Sequence, residues 1–158
     1  PLRDIASPGA LKYATYVNAY MEESTDTLLT DEAIARIEKS RPDFVFLYMV
    51  ETDEKGGHDN GWMSEVYLKC IHDAIDNVKR VLEEAGDEYT VIITADHGCD
   101  PGYTKTTDHT REYVPLLIYR KGMESKNFGT VLGFDAVAAT VAKEFSIDGV
   151  SGEVLEGL

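Results

Sequence analysis

The pattern of apolar and polar positions divides this chain into a short series of elements. Residues 44–50, Phe-Val-Phe-Leu-Tyr-Met-Val, are continuously apolar and rich in aromatic and β-branched side chains. Such a run predicts a strand buried on both faces, as in a parallel sheet. Ahead of it, Thr30 has the character of a helix N-cap, Asp31 and Glu32 place negative charge in the first turn, and Ala33, Ile34 and Ile37 supply an apolar face. This short helix is expected to end near Ser40, because Pro42 disfavours helix at Arg41. After the apolar run comes a polar, glycine-containing loop over residues 51–61. The clearest helix covers residues 64–85, where Val66, Tyr67, Cys70, Ile71, Ala74, Ile75, Val78, Val81 and Leu82 recur with a period of about 3.6, and Gly86 is a natural stop. A second buried strand over residues 90–94 runs straight into Ala95-Asp96-His97-Gly98, and a third covers residues 114–119. The last helix spans residues 134–145, with Phe134, Val137, Ala138, Val141 and Phe145 on one side. Residues 1–8 read as extended or loop, residues 9–21 are ambiguous, and residues 151–158 form a tail with no assigned element.

The order helix, strand, helix, strand, loop, strand, helix predicts an α/β fold, a three-layer sandwich with a largely parallel sheet. No internal boundary is visible, so residues 1–158 are expected to form a single α/β domain. The chain has 158 residues, 43% hydrophobic and 28% charged, an ordinary globular balance that excludes collagen-like and wholly disordered chains. Its formal charge of −14 argues against a nucleic-acid backbone or an anionic membrane as partner. A phosphorylated substrate stays open, because bound cations reverse the local field. No apolar run approaches the roughly 18 residues of a membrane helix. Two cysteines, Cys70 and Cys99, make no disulfide framework, and no secretory signal is seen, so the expected setting is cytoplasmic. The chain starts at Pro1, which suggests a processed product or a fragment.

Three of the four histidines lie in loops beside predicted strands, each near an aspartate: Asp53 with His58, Asp96 with His97, and Asp108 with His109. Ligands of open α/β sheets bind outside the carboxyl ends of the strands, so the first two pairs are expected to project into one crevice, with the third folded over it. Carboxylate oxygen and imidazole nitrogen together suit a divalent ion such as zinc or manganese. Two carboxylates and three imidazoles exceed what one catalytic ion with an open position takes, and they approach the needs of a two-metal site for displacement at phosphorus. Each pair alone is weak evidence, since aspartate-rich glycine loops are usually turns. Their shared placement at strand ends carries the argument. His72, on the long helix beside Asp73, lacks that placement and reads as structural or solvent-facing.

Thr94-Ala95-Asp96-His97-Gly98 and Thr107-Asp108-His109-Thr110-Arg111-Glu112-Tyr113-Val114-Pro115-Leu116-Leu117 resemble the C-terminal metal-binding part of phosphopentomutases, members of the alkaline phosphatase superfamily. The segment Val50-Glu51-Thr52-Asp53-Glu54-Lys55-Gly56-Gly57-His58 falls in register with the preceding family motif. The resemblance implies an alkaline phosphatase-like core, with Asp53, His58 and His109 on one metal and Asp96 and His97 contributing to the other. Asp108 then shapes the loop, and Arg111 either meets a substrate phosphate or pairs with Asp108 or Glu112. Two divalent ions, manganese or zinc, are implied for the full enzyme, with one or none held tightly by this chain.

Two departures accompany the resemblance. Asp59 and Asn60 stand where phosphopentomutases usually carry basic residues, and Gly-Gly-His-Asp-Asn-Gly is closer to the phosphodiesterase and phosphatase branches. The Ser or Thr nucleophile of the family, and an aspartate completing the second metal site, have no counterpart in residues 1–42. Thr25, Thr27 and Thr30 read instead as capping or turn residues. The resemblance thus implies the C-terminal portion of a phosphoryl-transfer metalloenzyme acting on phosphate monoesters such as sugar phosphates, whose partner is the upstream half of the same enzyme. A phosphatase, phosphodiesterase or sulfatase of the superfamily is the alternative within the class. A non-catalytic metal-binding domain is the alternative outside it.

Overall fold

The computed structural model describes residues 24–158. The expectations for residues 1–8 and 9–21 lie outside the described residues. The chain divides into two compact units. One takes the described residues up to Ala85 together with Pro101–Asp108, and the other takes Gly86–Asp100 and His109–Leu158.

The first unit is built on two helices, α1 (Thr25–Ser40) and α2 (Glu65–Ala85). The end of α1 falls where Pro42 predicts it, with Arg41 in the left-handed region at φ 43° and its N–H donating to the Ile37 carbonyl. Its start differs from expectation. Thr30 is not the cap but lies inside the helix, fully buried, its Oγ1 donating to the Asp26 carbonyl at 2.7 Å. A hydroxyl that satisfies itself on the i−4 carbonyl needs no exposed helix end. Thr27, expected as a cap or turn residue, also lies within α1 and accepts a hydrogen bond from Asn77 Nδ2 of α2 at 3.3 Å. Asn77 is 4% exposed, and its Oδ1 accepts from Arg80 Nη1, so the α1–α2 contact holds a satisfied polar group inside the apolar stripe. Arg41 closes the other end of the pair, donating from Nη1 to the Glu84 carbonyl at 2.9 Å, one of the terminal carbonyls of α2. His72 is exposed on α2, as anticipated.

Residues 44–50 are a correction. They join no β-ladder among the described residues, and they are not buried on both faces: Phe44, Phe46 and Tyr48 are 55%, 65% and 45% exposed, alternating with half-buried neighbours. A strand buried on both faces needs paired strands on its edges and layers above and below, and the described residues of this unit supply helical segments and no strand. The run ends at Val50, 8% exposed, where the backbone N–H groups of Val50 and Glu51 donate to Asp26 Oδ1 at 2.7 Å and Oδ2 at 3.1 Å.

The second unit holds β1 (Val91–Thr94), β2 (Leu116–Tyr119) and α3 (Asp135–Glu144). The strands pair antiparallel, Val91 opposite Tyr119 and Thr94 opposite Leu116, so the largely parallel sheet is not what the described residues form. A parallel pair needs a crossover, usually helical. The β1–β2 connection instead folds back on itself through an antiparallel bridge between Gly98 and Thr110.

The buried side of α3 also differs from expectation. Ala136, Ala139, Thr140 and Ala142 are buried, while Phe134 and Phe145 are 65% and 42% exposed. The cause is the C-terminal segment. Leu155, 4% exposed, donates its N–H to Thr140 Oγ1 at 3.0 Å, and Lys143 pairs with Glu156 at 2.6 Å. Small side chains on that face let the segment approach closely, and a Cβ on Gly152 would stand 2.6 Å from the Asp135 carbonyl oxygen. Among the described residues no helix is long and apolar enough to cross a membrane.

Burial is the largest influence on Asp26 and raises its carboxyl above the ordinary 3.8, while the two backbone N–H groups pull it down. The folded state therefore holds this proton more tightly than the unfolded chain, and stability linked to the protonated form declines as pH rises through the window above 3.8. Asp26→Asn does not titrate. In urea unfolding at a series of pH values, the stability of the natural chain relative to Asp26→Asn is expected to fall as pH rises above 3.8. A difference that is flat, or that rises over this range, refutes the assignment.

Candidate metal centre

In the first unit, the predicted polar loop is a π-helical segment, Thr52–His58. Its ladder begins immediately after the Asp26 contact: Glu54 N–H donates to the Val50 carbonyl at 3.0 Å and Gly56 N–H to the Glu51 carbonyl at 2.8 Å, the second an i→i+5 bond. That geometry explains the spacing of the Asp-x-x-x-x-His motif. In an α-helix, at about 100° per residue, positions i and i+5 diverge, whereas a π turn closes on i+5 and brings them to one side. His58 Nε2 accordingly lies 3.6 Å from Asp53 Oδ1, both side chains about 30% exposed.

Glycine allows this wide turn to sit tightly against its neighbours. A Cβ on Gly57 would stand 2.1 Å from the Trp62 ring, and one on Gly56 would stand 3.0 Å from the Tyr67 ring. Trp62 meets His58 edge-on at 5.9 Å between ring centroids and Tyr67 at 5.5 Å, so an aromatic wall fixes one side of the imidazole. Ser64 Oγ accepts from Tyr67 N–H at 3.0 Å, capping α2 where the wall begins. The roles of Trp62 and of the two glycines escaped the sequence reading. The signal was present as a Gly-Gly pair directly preceding a candidate ligand.

In the second unit, β1 delivers Asp96 and His97 at its carboxyl end, as predicted. His97 Nε2 is 3.6 Å from Asp96 Oδ1, with His97 the more buried of the two. The returning segment brings His109 against His97, the rings stacked with centroids 3.5 Å apart and planes 15° from parallel. A nitrogen of each lies within 4.8 Å of the other. Their spacing is set by backbone. Thr110 N–H donates to the Gly98 carbonyl at 3.2 Å, and Asp100 N–H donates to Thr110 Oγ1 at 2.6 Å. A Cβ on Gly98 would stand 2.6 Å from the Glu112 carbonyl oxygen, so only glycine permits the approach.

His97 thus meets both Asp96 and His109 in one unit, and Asp53 meets His58 in the other. Asp108, whose N–H donates to Thr106 Oγ1 at 3.2 Å, belongs to a local turn. Arg111 is exposed, and its alternative pairing with Glu112 does not occur. Close imidazoles with a carboxylate at hand suit a divalent cation: nitrogen and oxygen donors crowd together, and neutral imidazole is the commonest metal-ligating side chain.

A family model described as the Metalloenzyme superfamily matches residues 12–149. A phosphopentomutase of Buchnera aphidicola is 42% identical over 107 residues, 68% of this chain and 26% of that protein. Phosphopentomutases of Alkaliphilus metalliredigens and Clostridium kluyveri are 35% and 37% identical over 75% and 60% of this chain, which are 30% and 24% of those proteins. The chain therefore spans about a quarter to three-tenths of the length of the curated relatives it matches. It belongs to the Metalloenzyme superfamily, whose members bind divalent metal.

The two close approaches generate a test. Gly57→Ala and Gly98→Ala each force a methyl group into occupied space, and each is expected to cost about 1–3 kcal/mol. Urea unfolding measures it. Gly61→Ala is the comparison, at a glycine with φ +86° and open space, where the loss comes from backbone conformation alone. A Gly98→Ala chain as stable as the natural one means that the two histidine segments are not held at this spacing.

Proposed function

We propose that this member of the Metalloenzyme superfamily is the C-terminal portion of a metal-dependent phosphoryl-transfer enzyme, phosphopentomutase-like and acting on a sugar phosphate. The observation that carries the reading is the His97–His109 pair. Two imidazoles stacked at 3.5 Å, His97 beside Asp96, in segments tied by the Gly98–Thr110 bridge, support a role as donors to cations. In this reading Asp53, His58 and His109 hold one divalent ion, and Asp96 and His97 contribute to a second. Bound ions would supply charge stabilisation at the phosphoryl group and lower the pKa of the attacking hydroxyl.

The chain's own residues do the holding and the orienting. The π turn presents Asp53 and His58 together, Trp62 limits rotation of His58, and the Gly98–Thr110 bridge fixes the separation of His97 and His109. Arg111, exposed and unpaired with Glu112, is available to a substrate phosphate. The nucleophile and the remaining aspartate belong to the part of the enzyme that the relatives' greater length supplies. Residues 44–50 and β1 would enter a larger, largely parallel sheet of a three-layer sandwich there. A cytoplasmic setting, with neither nucleic acid nor membrane as partner, completes the proposal.

Three ligands make a full catalytic set for zinc and two do not, so metal content after dialysis is expected at one ion per chain or lower. His109→Ala is expected to abolish tight binding, and His72→Ala to leave it unchanged. Two tightly held ions overturn this division of ligands.

Without a hydroxyl positioned in line with phosphorus, the covalent route is lost. The 158-residue chain is expected to show no mutase activity and at most trace hydrolysis of an aryl phosphate with manganese or zinc present. Addition of the upstream portion is expected to restore turnover. Strong turnover by the chain alone that disappears in Asp96→Ala would place a nucleophile within these residues.

A further inference from the structure

We infer that Asp26 is a positioning residue for the proposed metal ligands Asp53 and His58, acting as a long-range cap on the π-helical segment that carries them. The inference rests on the reading of those two residues as ligands, and its structural half stands on contacts within one unit.

The first amides of any helical segment lack internal acceptors, and a side chain at the N-cap position normally takes one of them. Here the residue at that position, Glu51, makes no side-chain cap bond. Asp26 acts instead on the two amides that lead into the segment, from 24 and 25 residues away, with Oδ1 on Val50 N–H and Oδ2 on Glu51 N–H. The peptide group joining Val50 to Glu51 is bonded on both sides, since its N–H donates to Asp26 and its carbonyl accepts from Glu54, and the next carbonyl, of Glu51, accepts from Gly56. Fixing that N–H therefore fixes the plane from which the turn starts, and the Asp53–His58 approach follows from that turn. The clamp is rigid at its own end. Asp26 is 2% exposed in the first turn of α1, where a carboxylate is favoured by the helix dipole, and Thr30 Oγ1 bonds its carbonyl at 2.7 Å. A carboxylate that accepts two backbone N–H groups is also stronger than a neutral cap. Nothing in the local sequence announces this contact.

The test compares the 158-residue chain with Asp26→Ala, Asp26→Asn and Ala33→Gly. The last is a control that weakens α1 through glycine's poor helix propensity without touching the clamp. Two quantities are read: amide hydrogen exchange across Thr52–His58 in metal-free protein, and the manganese dissociation constant by calorimetry. Asp26→Ala is expected to speed exchange at Glu54 and Gly56 at least tenfold more than at α2 amides. It is also expected to weaken manganese binding tenfold or more, the usual effect of losing a group that orients a ligand. Asp26→Asn keeps one acceptor oxygen and should fall between Asp26→Ala and the natural chain in both quantities. Ala33→Gly should alter neither selectively.

Equal effects of Asp26→Ala and Ala33→Gly overturn the inference, as does a folded Asp26→Ala chain with natural loop exchange. If Asp26→Ala does not fold, Asp26→Asn decides: unchanged exchange in the loop refutes the clamp. If the natural chain binds no manganese, the ligand assignment fails, and with it the positioning of ligands. The exchange data then still report separately whether the clamp exists.

Discussion

The first unit turns on a shortage of acceptors. The amides of Val50 and Glu51 stand where the chain leaves an extended run and enters a wide helical turn, and a single buried carboxylate, Asp26, accepts both. Burial of a carboxylate is unfavourable unless its oxygens are satisfied, and this contact ties α1 to the end of the run and the start of the turn. Thr30, Thr27, Asn77 and Arg41 continue this pattern along the α1–α2 contact, where polar atoms at the helix boundary are matched by a partner on another element.

The second unit answers a similar demand with main chain. Between β1 and β2 the connecting segment doubles back, so that Gly98 and Thr110 extend the antiparallel relation beyond the ladder itself. His97 and His109 precede these two residues, and the meeting of their rings is a by-product of strand-like pairing. The two units therefore prepare their candidate ligands by different means, one by a helical turn of unusual pitch and the other by backbone pairing.

Periodicity made α2, β1, β2 and the end of α1 legible, because each depends on apolar spacing or on a nearby Gly or Pro. The start of α1 was not legible, since Thr30 bonds within its own helix and offers no pattern distinct from a cap. Nor was the buried face of α3, which is chosen by Leu155 and the residues around it, distant in sequence and without periodicity. The apolarity of residues 44–50 predicts a buried strand, yet the run joins no ladder among the described residues, because pairing and burial depend on partner strands that no residue in the run can specify. The residue types of the candidate centre were visible in the Asp-His motifs. The reason for the spacing between Asp53 and His58 required the π turn.

The missing side chain at Gly98 has a thermodynamic consequence. Because the separation of the His97 and His109 rings is inherited from two main-chain segments in direct contact, the ordering of the imidazoles is accomplished when the unit folds. A cation held by this pair, as the proposed function has it, would find its donors already immobilised, so its uptake would involve little further loss of chain entropy and little newly buried apolar area. The heat-capacity change of such an encounter would be small, and its heat would reflect the exchange of water for nitrogen in the cation's coordination shell.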